Sequence, residues 1–195
     1  MSRAVTREDI VNGPLLSSML KFAFPLMLTN FLSNLFSAVD TIVVGQHAGS
    51  EALAAVGATG SLIFMVSSLF NGLSMGASVV VGQMIGRGNE SRAKETVETA
   101  FIMAASSGLF LSMVGLFLSK SLLRMVSTPA NILDQSALYM RIYLGGAIFM
   151  LIYNFGAAIL RAKGDTLRPL YYIIASGLTN VVLNLIFVTD RKSVV

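Results

Sequence analysis

Residues 52–86 read ALAAVGATGSLIFMVSSLFNGLSMGASVVVGQMIG, thirty-five positions without an Asp, Glu, Lys or Arg. A helix rises 1.5 Å per residue, so ~20 apolar residues cross the ~30 Å hydrocarbon core of a bilayer. The stretch is long enough to span it. Three further runs carry no charge: Thr99 to Ser119, Ile142 to Leu160 and Pro169 to Thr189. Inside lipid every backbone N–H and C=O must be paired within the segment, which selects helices. Composition agrees. Hydrophobic residues make up 54% of the 195 positions and charged residues 12%, against about a quarter charged in a soluble domain. Mean hydropathy is +0.74. A large soluble helical core would need polar faces on these helices, and they have none. The expected fold is an all-α membrane protein, a polytopic transmembrane helix bundle of about five spans.

The expected helices run over Leu15–Val44, Leu53–Gly82, Lys94–Leu118, Gln135–Leu160 and Pro169–Thr189. Pro25 lies inside the first, where it removes one backbone bond and is expected to bend the helix. Gly45 and Gly49, then Gly86, Gly88 and Asn89, then Pro129, then Gly164 and Pro169, punctuate the rest. The Lys and Arg distribution orients the bundle. Residues 1–14 with Lys21, the second loop (Arg87, Arg92, Lys94) and the fourth (Arg161, Lys163, Arg168) fall on one side with nine basic residues. The other side has none in the first loop and Lys120 and Arg124 in the third, with Arg141 just inside helix four. The N-terminal segment 1–14 is therefore expected in the cytoplasm, the bundle in the cytoplasmic membrane. Residues 190–195 break the pattern by placing Arg191 and Lys192 outside, directly after a span. They are expected to be an assembly artefact at a contig end, with a short genuine tail as the alternative.

Several function classes drop out. The net charge of +4 is spread over short loops and forms no patch for nucleic acid. The chain has no cysteine and one histidine, His47, so thiolate metal sites and a zinc site are excluded. Gly86-Arg87-Gly88 lacks the strand and following Lys-Ser/Thr of a phosphate-binding loop. No catalytic constellation and no cofactor motif is present, and an enzyme is not expected. No small-residue cleavage site follows a short apolar run, so the N-terminus does not read as a signal peptide.

Polar residues inside the spans carry the functional signal. In helix one, Asn30, Ser33, Asn34, Ser37, Asp40 and Thr41 recur every three or four residues and form one stripe. Lipid penalises such a stripe, so it faces the bundle or a water-filled cavity. Asp40 is the only acid within the apolar part of any span, and an intramembrane carboxylate costs roughly 3 kcal/mol or more to insert. Such a group is usually retained for ion or proton work, against the plainer reading of an interhelical hydrogen bond or helix cap. Ser176, Asn180 and Asn184 share a face of helix five, and Ser67, Asn71, Ser74 and Ser78 one of helix two. Interhelical hydrogen bonding and ligand contact compete as readings for each of these. Carboxylate and amide oxygens together suit a hard cation. The Gly72–Gly76 and Gly82–Gly86 pairs are read as sites of close helix packing.

Four stretches together resemble the MATE family, the multidrug and toxic compound extrusion transporters. They are Phe24-Pro25-Leu26 with Val39-Asp40-Thr41-Ile42-Val43-Val44-Gly45 and Ala52 to Gly57; Gly72 to Gly88 ending Gly82-Gln83-Met84-Ile85-Gly86, followed by Ala93; Leu160-Arg161-Ala162-Lys163-Gly164-Asp165-Thr166; and Asn180-Val181-Val182-Leu183-Asn184. The resemblance implies twelve helices in two six-helix lobes, with residues 15–189 forming helices one to five of the N-terminal lobe. It implies antiport, in which small cationic or amphipathic compounds leave as protons or sodium ions enter. Asp40 and Asn180 match residues that members use for cation coupling, and Asn184 stands where members commonly have an acid. Asn30, Asn34, Ser37, Thr41, Asn71 and Ser176 would line the cavity. A sodium ion at Asp40 and Asn180 would be the only metal. The alternative within the same superfamily is a lipid-linked oligosaccharide flippase, whose central cavity tends to be basic; here no Lys or Arg lies mid-span.

The orientation is testable on this cysteine-free background. Single cysteines at Gly49, Asn89 and Asn131 are probed with a membrane-impermeant thiol reagent on intact cells. Positions 49 and 131 should label and position 89 should not. Labelling at 89 but not at 49 contradicts the assignment.

Overall fold

The computed structural model describes residues 15–47 and 49–191. Among them are six helices and no strand: α1 (Leu15–His47), α2 (Gly49–Gly86), α3 (Glu90–Met125), α4 (Leu133–Gly145), α5 (Ala147–Ala162) and α6 (Leu167–Arg191). The expected N-terminal segment 1–14 and residues 192–195 of the expected tail lie outside the described residues. Three helices are long and apolar enough to cross a membrane, Met19–Val43 within α1, Leu53–Gly86 within α2 and α3 throughout, and the bent pair α4–α5 makes a fourth candidate. The last expected span coincides with the 25-residue helix α6, which is not among these candidates.

The expected fourth span is corrected by the structure. It is not one helix from Gln135 to Leu160 but two, meeting at Gly146 with a bend of 47°. Adjacent glycines each weaken a helix by about 1 kcal/mol relative to alanine, and hydropathy, the signal that defined the span, does not register backbone strength. The bend leaves carbonyls without helical partners. The Ser112 hydroxyl on α3 donates to the Gly145 carbonyl at 3.2 Å, which meets one of them. The first connection is also shorter than expected: α1 continues to His47 and α2 starts at Gly49. Pro25 does not interrupt α1, and the buried Thr29 hydroxyl donates to the Pro25 carbonyl at 2.7 Å.

The other boundaries follow from short-range chemistry. Gly88 takes a φ of +74° between α2 and α3, where a side chain would be strained. The Asn89 side chain then accepts the Arg92 N–H at 3.1 Å as the N-cap of α3. Between α5 and α6, Gly164 takes a φ of +86°. Asp165 Oδ1 accepts the N–H groups of Leu167 and Arg168 at 3.2 and 3.1 Å. One glycine to stop and one carboxylate to start thus explain the Lys163-Gly164-Asp165-Thr166 stretch as a tight connection.

The helices group into two compact units, α1 with α6 and α2 through α5. In the second, Phe70 and Val81 of α2, Ala100, Ala104 and Leu111 of α3, and Ala147, Leu151, Phe155 and Ile159 of α5 form one buried cluster. Lipid is as apolar as these side chains, so the helices associate through close packing rather than through exclusion of water. Glycines supply the closeness, but not the expected ones. A Cβ placed on Gly72, Gly76 or Gly86 meets nothing within 4 Å, and one on Gly82 only grazes Ala162 at 4.0 Å. The GxxxG pairs are therefore not where these helices meet. The bulky Phe70 and Val81 decide which stripe of α2 is buried. The tight approaches are on α3. A Cβ on Gly108 would lie 2.5 Å from the Ile148 Cα of α5, and one on Gly115 would overlap the Leu144 side chain of α4. These two glycines flank the Gly146 bend and hold both arms of the bent span against α3.

In the unit formed by α1 and α6, a Cβ on Gly177 would run into the Phe36 ring. Elsewhere large apolar side chains point outward, with Phe64 74%, Phe117 73% and Phe149 76% exposed. In water such a surface would drive aggregation; against acyl chains it is the ordinary exterior of a membrane bundle.

The packing assignment makes opposite predictions for two glycines. Gly108→Ala should lower the stability of the purified chain in detergent by about 1–3 kcal/mol, the usual penalty of overpacking. Gly72→Ala should leave it unchanged or raise it by roughly 0.5–1 kcal/mol through helix propensity. Thermal unfolding followed by circular dichroism separates the two. Equal stability for Gly108→Ala and the unmodified chain would refute the role given to Gly108.

Candidate functional site

The intramembrane carboxylate sits where α1 and α6 face one another. Asp40 lies near the C-terminal end of α1, and Asn180 and Asn184 lie one helical turn apart on α6. Residues four apart share a helix face, so both amides project to the same side. The Asn184 amide nitrogen donates to Asp40 Oδ1 at 2.7 Å and to Asn180 Oδ1 at 3.0 Å. All three side chains are half-buried. The close approach at Gly177, two turns before Asn184, brings the α6 backbone near enough to α1 for a short amide to reach the carboxylate.

Chemically the cluster is one carboxylate and two amides. Asp40 presents a second oxygen that no described hydrogen bond occupies, and Asn184 retains its carbonyl oxygen. A 180° turn of the Asn184 amide exchanges donor for acceptor at the same place. The group can therefore serve an ionised carboxylate by donating and a protonated one by accepting. After such a turn, Asp40, Asn180 and Asn184 offer oxygens, the ligand type that a hard cation such as sodium takes. Among the described residues no three His, Cys, Asp or Glu side chains gather to hold a metal ion.

The remaining candidate residues divide differently. Asn30, Asn34, Ser37, Thr41 and Ser176 are exposed on the same unit as the cluster. Asn34 donates to the Asn30 carbonyl at 3.0 Å and Thr41 to the Ser37 carbonyl at 2.9 Å, so each places a donor on its own helix. Asn71 belongs to the α2–α5 unit and is exposed. On its helix the Ser74 hydroxyl donates to the Asn71 carbonyl at 2.9 Å and Ser78 to the Met75 carbonyl at 2.8 Å. These serines need no interhelical partner. The residue that reading the sequence missed is Gly177, whose role depends on the Phe36 ring across from it rather than on any local pattern.

Comparison with known proteins agrees with this architecture. The MatE family model matches residues 25–186. The chain is 34% identical over 166 residues to "Probable multidrug resistance protein YoeA" of Bacillus subtilis, covering 85% of this chain and 36% of that protein. It is 30% identical over 163 residues to "Probable multidrug resistance protein NorM" of Thermotoga maritima, covering 83% of this chain and 34% of that one. A solved structure described as the outward-facing conformation of a multidrug resistance MATE family transporter of the MOP superfamily superposes with a TM-score of 0.84 at 25% identity, over 96% of this chain and 41% of that one. The chain thus spans a little over a third of the length of these curated relatives. With its apolar spans, its two helical units and a family match from Pro25 to near the end of α6, the chain belongs to the MatE family of integral membrane proteins.

Proposed function

We propose that the chain forms the first five spans of the N-terminal lobe of a secondary active multidrug efflux transporter in the cytoplasmic membrane, with its N-terminus in the cytoplasm. Small cationic or amphipathic compounds leave in exchange for entering protons or sodium ions. Asp40 is the exchanging group. The observation that carries this reading is the 2.7 Å bond joining Asp40 of α1 to Asn184 of α6. It ties the one intramembrane acid to the helix that ends the described bundle, so a change at the carboxylate is felt by two spans at once. The multidrug resistance names of the relatives support efflux as the direction.

The mechanism follows from what the cluster can do. An ionised Asp40 accepts the Asn184 amide hydrogen and holds α1 and α6 together at that level. A proton on the free oxygen, or a sodium ion shared with Asn180 and a turned Asn184, replaces the charge on which that bond depends. A cation shifts the inward–outward equilibrium only by the difference in its affinity for the two states. The Asp40–Asn184 bond is the element whose strength differs between the loaded and unloaded forms. A carboxylate at position 184 would need to share a proton with Asp40, since two nearby acids rarely ionise together. Asn184 leaves Asp40 as the one carboxylate of the cluster, so each cycle exchanges a single positive charge at this site.

Transport by the full-length protein tests this in proteoliposomes under an imposed proton or sodium gradient. Asp40→Asn keeps the shape and removes the exchange, so gradient-driven efflux of a cationic dye should fall by about tenfold or more, within the usual range of coupling free energies. Membrane insertion should stay near normal. Asn180→Ala should have a smaller effect, and Asn184→Asp should shift the pH or sodium dependence. Wild-type transport by Asp40→Asn would make the carboxylate structural.

A further inference from the structure

A second charged cluster belongs to the α2–α5 unit, at the turn joining α2 to α3. A cleft of about 440 Å³ opens there, lined by Ile85, Ala93 and Val97 and by the charged Glu90, Lys94, Glu98 and Lys163. Glu90, Lys94 and Glu98 follow one another at four-residue spacing on one face of α3, and Lys163 caps α5. At that spacing Glu and Lys ordinarily pair along the helix. Among the described residues, however, the ion pairs are Lys120 with Asp134 and Arg168 with Asp165, and none of these four takes part in one. Two cations and two anions therefore border a pocket whose remaining walls are apolar.

Its level relative to the bilayer narrows the ligand. The Leu53–Gly86 and Glu90–Met125 segments contain 34 and 36 residues, about 50 Å each, against ~30 Å of hydrocarbon and ~40–45 Å with the headgroups. The turn between them thus lies at or beyond the lipid headgroups. A ligand for this cleft has a phosphate for Lys94 and Lys163, a hydrogen-bonding ammonium for Glu90 and Glu98, and an apolar stem for Ile85, Ala93 and Val97. We infer that the cleft binds the headgroup of a zwitterionic phospholipid with a primary amine, phosphatidylethanolamine. A quaternary choline has no N–H to donate to the two carboxylates, and an anionic phosphatidylglycerol brings its phosphate to the lysines but leaves the acids without a partner. The cleft lies wholly within the α2–α5 unit, and the fit is the same whichever side of the membrane the turn occupies.

Native mass spectrometry of the purified chain in detergent tests this, with phosphatidylethanolamine, phosphatidylcholine and phosphatidylglycerol of identical acyl chains added in turn. Phosphatidylethanolamine should be retained about fivefold better than either of the others, the scale expected of exposed charge pairs. The Lys94→Gln/Lys163→Gln double variant should retain it no better than phosphatidylcholine, and Glu90→Gln/Glu98→Gln should lose the preference over phosphatidylglycerol. Lys120→Gln/Arg124→Gln, at the opposite end of α3, should behave as the unmodified chain does. Soluble phosphoethanolamine should displace little lipid, because it lacks the apolar stem; full displacement would point to a soluble ligand and overturn the lipid assignment. Equal retention of the three lipids, or undiminished retention by the double lysine variant with its helical circular dichroism intact, would also overturn it.

Discussion

The structure depends on one constraint: in hydrocarbon a backbone polar group without a partner has no water to turn to. The chain meets it with long helices and with specific devices wherever a helix stops. Gly88 and Asn89 close α2 and open α3. Gly164 and Asp165 do the same between α5 and α6. The bend at Gly146 is the demanding case because it lies inside a charge-free run. There the Ser112 hydroxyl reaches the Gly145 carbonyl, and Gly108 and Gly115 let α3 come close enough on both sides of the bend for that reach to succeed.

Asp40 extends the same constraint from backbone to side chain. A carboxylate within a span needs donors, and the two-bond bridge from Asn184 to Asp40 and Asn180 supplies and orients one. An amide is well suited to this because it can face a partner with either a donor or an acceptor. Under the proposed exchange, the same Asn184 amide can meet Asp40 with or without its cation. In the wider polar stripe of α1, Asn34 and Thr41 bond to carbonyls of their own helix.

Much of this was legible in the sequence, for identifiable reasons. Charge-free runs report the solvent directly, so the helices were found. Gly88, Asn89 and Gly164 marked helix ends because their conformational demands are local. Asp40 stands out as the only acid within the apolar part of a span, and Asn180 and Asn184 through the family resemblance; the structure brings all three together. What stayed hidden depends on partners distant in the chain. The Gly145–Gly146 break looked like any apolar segment. The GxxxG pairs of α2 had the right spacing for packing, yet Gly108 and Gly115, seven residues apart, carry the close approach. Gly177 gained its role from Phe36, 141 positions earlier. A spacing shows that helices are able to approach closely; the bulky residues around it decide which face does.

The central claim is that Asp40 is the group that releases a cation when a substrate binds. The direct measurement is substrate-induced cation release from the full-length protein in weakly buffered detergent solution, followed with a pH electrode and a sodium-selective electrode. The account predicts release of one proton or one sodium ion per bound cationic compound, lost in Asp40→Asn while the compound still binds. Release of the same amount from Asp40→Asn would place the exchanging group elsewhere and contradict the account.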